Sequence, residues 1–197
     1  MSVEVEKSRT EIEPAPRAET VEHSGWLATV VRDVRLLLIA LWLGGAVFFS
    51  ATVAPSAFGV LRARGVPYAN EAAGSIVTRT LSVVNTSGFI LALLLLLSAF
   101  LFRRGIKRRA LFAEIVSLAL VAIATGVGQW IIAARMVALR AAMGRPIDDV
   151  AADNPLRISF NSLHGYSVTA LSVGIIAAAV ALLLIARRKS KYQADSL

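Results

Sequence analysis

Apolar positions in this chain do not alternate with polar ones; they run together. Charge-free stretches occupy residues 36–61, 80–102, 115–134 and 158–186, and the charged residues crowd between them. Each stretch is long enough to cross a hydrocarbon core of ~30 Å, which takes about 20 helical residues. In lipid every backbone N–H and C=O must bond within its own segment, and that selects a helix. The pattern predicts an all-α integral membrane four-helix bundle, up-down-up-down. Its spans lie at about 36–61, 80–102, 110–134 and 158–186, inside a membrane domain over 25–189. Residues 1–24 are acid-rich and hold Pro14 and Pro16, so they read as a flexible, disordered N-terminal tail. No basic start followed by a short apolar run occurs there, which argues against a secretory signal peptide. Residues 190–197 read as a short polar C-terminal tail.

Composition changes the picture in three ways. Charged residues make up 17% of the chain, below the roughly one quarter usual for soluble domains. The formal net charge is +8, but the basic residues sit at the ends of the spans and not along one helix face. That distribution fits helix anchoring in a bilayer and excludes nucleic acid as a partner. Cysteine is absent, so disulfides, thiolate metal sites and thiol nucleophiles are excluded. Orientation follows from counting near-membrane Lys and Arg. Eleven lie on the side shared by the termini and the second-to-third connection, against seven on the other. The positive-inside rule then puts both termini in the cytoplasm, with the chain multi-pass in a cytoplasmic or inner membrane.

Within the spans, small residues and breakers mark expected contacts. Ala40 with Gly44, and Ala124 with Gly128, are small pairs four apart that let helices approach closely. Gly44, Gly45, Gly128 and Gly174 are the expected packing glycines, and Pro55 should bend the last turns of the first span. Asn70 reads as an N-cap with Glu71 in its first turn, and Asn154 before Pro155 as an N-cap and first helical position. Whether the helix after Asn70 runs unbroken into the second span is left open by the pattern.

The chemistry-bearing positions fall in one half of the membrane. Asn85 sits near the start of the second span, Gln129 and Arg135 near the end of the third, and Asn161, His164 and Ser167 at the start of the fourth. Polar groups in hydrocarbon are costly and face the bundle interior or a wet cavity. Asn85, Gln129, Arg135, Asn161 and His164 are therefore the ligand-pocket candidates, opening to the outside. The leading reading is a non-enzymatic protein whose pocket binds a small solute, ion or lipid headgroup. The alternative is a scaffold or assembly partner, alone or as a homo-oligomer, whose polar residues only fasten helices at ~0.6–2 kcal/mol each. A third reading is metal or redox handling centred on His164. Against haem, only one histidine lies in a span, since His23 is in the tail. Neither catalytic residues nor a cofactor or metal site is expected, because phosphate loops, nucleophile elbows and zinc-protease motifs are missing. Glu114 reads as an interfacial partner of the 103–109 basic cluster.

Several runs together resemble a known family. They are Leu41-Trp42-Leu43-Gly44-Gly45-Ala46-Val47-Phe48-Phe49, Ala54-Pro55-Ser56-Ala57-Phe58, Arg135-Met136-x-x-Leu139-Arg140 and Phe160-x-x-Leu163-His164-Gly165-x-Ser167. The chain resembles, over roughly 33–186, the four-helix family called domain of unknown function 4149, or transmembrane protein 205-like. A more distant likeness is to the membrane domain of copper-resistance D-type proteins. The resemblance implies a four-helix membrane fold. It nominates Gly44, Gly45, Pro55, Arg135, Arg140 and His164 as family positions, and supplies no activity. Thr80-Leu81-Ser82-Val83-Val84-Asn85 departs from the family's aromatic and proline pattern before the second span.

Overall fold

The computed structural model describes residues 19–102 and 107–187. The remaining parts of the two tails and of the basic cluster, Arg103 and Arg104 included, lie outside the described residues. The helices are α1 (Glu19–Phe48), α2 (Ala54–Ala63), α3 (Ala69–Leu101), α4 (Arg108–Gly126), α5 (Ala134–Met143) and α6 (Pro155–Ala186). α1 passes into α2 through a π-helical turn, Phe49–Val53, and α4 into α5 through another, Val127–Ala133. Joined in this way, four helices among the described residues are long and apolar enough to cross a membrane: Thr29–Ala63, Ala69–Leu101, Arg108–Met143 and Pro155–Ala186. They pack as a ring in which α1 and α4 each touch α3 and α6.

The chain is helical from Glu19, inside the segment assigned to the tail on composition. α3 runs unbroken from Ala69 through the second span. Its N-cap is Tyr68, held at φ 53°, so Asn70 already lies within the first turn. The left-handed geometry at Tyr68 follows directly on Pro67, whose ring removes a donor and fixes its own φ. Asn154 does cap α6, accepting from the Leu156 amide at 2.9 Å with Pro155 behind it. Pro55 offers no N–H, and the preceding π turn absorbs the mismatch: the Ala54 amide bonds Phe49 O five residues back.

The core runs along the bundle axis, with Ile39, Trp42, Ala46, Phe49, Ala92, Leu95, Leu118, Val121, Leu171 and Ala178 buried. Trp42 is its keystone. Its indole donates to Val84 O at 3.0 Å and fills the space that a side chain at residue 88 would need. A Cβ on Gly88 would stand 2.6 Å from the indole ring. Gly174 packs against Ala124, and Gly128 against the Asn85 amide. Gly44 and Gly45 have nothing within 4 Å, and Pro55 is exposed, so the small pair of the first span is not a contact inside this chain.

Candidate functional site

Two of the five pocket candidates lie near one another, where α3 packs on the second π turn. Asn85 is 3% exposed at the middle of α3, set against Gly128 in the second π turn. One residue further on, Gln129 reaches back to α3, its Nε2 donating to Ser82 Oγ at 2.9 Å. Gln129 Oε1 is buried and has no hydrogen-bond partner among the described residues. Beside them the Phe89 and Trp130 rings meet edge to face at 4.7 Å. The two stand at a similar level, as expected of residues that lie a similar number of 1.5 Å steps from their span ends.

The other three do not join them. Arg135, Asn161 and His164 are exposed on the bundle's outer surface. Spacing by three misled here: helical positions turn by about 100° per residue, so residues three apart drift about 60° and residues six apart about 120°. Ser167 is buried, and the buried stripe of α6 runs on through Leu171, Gly174, Ala178, Ala181 and Ile185. Carried back a turn or two it meets half-buried Leu163 and Phe160, leaving His164 and Asn161 outside. No group of three or more His, Asp or Glu side chains gathers around His164 or elsewhere among the described residues.

The most deeply buried ion pair among the described residues lies toward the other end of the bundle. Arg35 of α1 is 3% exposed and Glu114 of α4 is 0% exposed, and their side chains form an ion pair through Nη2 and Oε1. The same Arg35 Nη2 also donates to Leu95 O of α3 at 3.3 Å, which ties three spans at one point. Glu114 thus pairs with the first helix; of the 103–109 cluster, Lys107, Arg108 and Arg109 are exposed, and Arg103 and Arg104 lie outside the described residues. Arg35 was legible only as a membrane anchor, since it precedes a charge-free run. The available signal was depth: α1 and α4 run the same way, and the residue just before each charge-free run is charged, with opposite sign in the two.

At the opposite end a second polar network closes the bundle. Asp148, in the 3-10 turn Ile147–Asp149, accepts from the Asn70 side chain at 2.6 Å and from the Glu71 amide at 3.1 Å. It therefore caps α3 from another part of the chain, where the negative charge meets free N–H groups. Glu71 pairs with Arg140 and accepts from the Ile147 amide at 3.1 Å, and Arg62 donates to Asn70 at 2.8 Å. A cleft of about 320 Å³ lies at this end, bordered by Met143, Arg145, Asp149, Val150 and Asn154. None of the five pocket candidates lines it.

Compared with known proteins, residues 37–145 match a family model described as domain of unknown function (DUF4149). The match covers Gly44, Gly45, Pro55, Arg135 and Arg140, and it ends before α6 and His164. It does not extend to the transmembrane protein 205-like or copper-resistance likenesses. No curated protein and no solved structure matches the chain.

Proposed function

The chain belongs to the family of domain of unknown function DUF4149, and on that premise we propose that it is a non-enzymatic, multi-pass membrane scaffold. Its interior polar groups are clasps between helices. One observation carries the reading: Arg35 with Glu114, Trp42 with Val84 O, and Gln129 with Ser82 each join two different spans instead of facing a shared cavity. Such clasps fix register and rotation in a solvent where apolar burial between helices gives little preference, because lipid tails are as apolar as leucine. The surplus of basic residues on the Arg35–Glu114 side supports placement in a cytoplasmic or inner membrane with both termini cytoplasmic.

A second reading has one observation in its favour. The unpartnered Gln129 Oε1 beside Asn85 is the kind of buried acceptor that a small polar guest satisfies. Native mass spectrometry with elemental analysis of the purified wild type and an Asn85→Leu/Gln129→Leu double variant separates the two. The scaffold reading expects no solute or metal in either protein, with the variant less stable to heat. A solute or metal held by the wild type and missing from the folded variant overturns it. The same masses report whether the scaffold works as a monomer or a homo-oligomer.

A further inference from the structure

Beyond the clasps, one group of basic side chains has no role inside the protein. Cross-helix contacts fix the levels: Gln129 stands opposite Ser82, and Gly174 opposite Ala124 and Thr125. Counting outward from these along antiparallel helices, Arg79 of α3, Arg135 of α5 and His164 of α6 fall within about 5 Å of one another along the bundle axis. All three are exposed, and none makes a hydrogen bond or ion pair among the described residues. The helix-borne cations farther out differ: Arg62 is engaged by Asn70, Arg140 by Glu71, and Arg157 by Val150 O. At or within about a turn below the collar, Trp130 and Tyr166 are exposed (53% and 64%), as aromatic side chains are where headgroups meet hydrocarbon. The scale agrees. Arg135 lies 27 residues beyond Arg108, the start of the same span, about 40 Å along the axis and close to the full thickness of a bilayer with its headgroups.

We propose that Arg79, Arg135 and His164 form a collar that binds phospholipid phosphates in the leaflet at the Asp148 end of the bundle. The arginine fork matches a phosphate's oxygens, and a single leaflet presents phosphates at one level on all sides of the protein, as the collar requires. The cap built on Asp148 and Glu71 then stands clear of the bilayer.

The test uses the full chain in nanodiscs of phosphatidylglycerol and phosphatidylcholine, with lipid retained on release counted by native mass spectrometry. Arg79→Gln/Arg135→Gln should lose bound phosphatidylglycerol roughly thirtyfold, at one surface cation's attraction per arginine. The control Arg64→Gln/Arg145→Gln removes the same charge from the loops farther out and should lose little. Equal loss from both variants, or none from the collar variant, overturns the proposal. Depth is checked separately, because the chain has no cysteine of its own. Val137→Cys, just beyond the collar, should react with a membrane-impermeant maleimide, whereas lipid-facing Ile123→Cys should not. Protection of both would bury the collar in hydrocarbon and overturn the proposal even if the helix clasps stand.

Discussion

The Arg35–Glu114 and Arg140–Glu71 pairs are the same chemistry in two settings. The first is nearly sealed, with side chains 4% and 1% exposed; the second keeps 22% and 34% of its side-chain surface open. Inside the hydrocarbon neither charge is satisfied by water, so the two lean on each other, and Arg35 donates to Leu95 O as well. At the cap, water and ions substitute for a lost partner, and the pair matters mainly for where it holds the 147–149 turn. The contrast teaches that depth, and not the identity of the partners, decides how much a salt bridge contributes in this fold.

The largest expected effect breaks the sealed pair from one side. Arg35→Ala or Glu114→Ala alone should lower stability by about 3–5 kcal/mol by stranding a charge. A thermal shift in detergent measures it. The Arg35→Met/Glu114→Leu double variant should recover most of that loss; a double as damaged as the singles would show that the two do not act as a unit. Next comes the keystone between the two polar ends. Gly88→Ala forces the indole of Trp42 aside and should cost about 1–3 kcal/mol through overpacking. Gly44→Ala, with open space around it, should cost little in the monomer, and an equal loss of Tm for both would contradict the packing described.

Smaller still is the cap. Glu71→Gln should change global stability by about 1 kcal/mol or less, and less at high salt. Its signature is local: faster hydrogen exchange at the Ile147 amide, which Glu71 holds. A loss as large as that of Glu114→Ala would erase the distinction between the two ends. Smallest of all, Arg135→Ala and His164→Ala should leave stability within about 0.5 kcal/mol, as exposed positions do. A large loss from either would place it back among the interior clasps.

How much of this was readable beforehand depends on what hydropathy records. It records where lipid is, so the four spans emerged from charge-free runs such as 158–186. It does not record where a helix ends once outside lipid. α3 therefore begins at Ala69, eleven residues before the apolar run at Thr80. Depth could be counted, and it put Asn85 level with Gln129. Rotation could not, because a span apolar on every side gives no stripe to orient it, and Asn161 and His164 were assigned to the interior for that reason. The trans cap from Asp148 was out of reach too, since nothing local to 147–149 announces a partner near Asn70.

The two π turns carry a consequence for how this molecule tolerates insertions and deletions. Each turn holds one residue more than the α-helical path needs, like a dislocation parked in an otherwise regular lattice. The rods on either side, α1 and α2 or α4 and α5, are thereby decoupled in phase: lipid and core set one, the Asp148 network the other. Removing one residue from Phe49–Val53 would let the helix close up into a regular α-helix and leave α2, Arg62 included, close to its present rotation. A one-residue deletion in that turn should therefore spare both the membrane core and the cap, whereas the same deletion at Trp42, in regular α-helix, turns one side of the rod by about 100° against the other and should disrupt the packing.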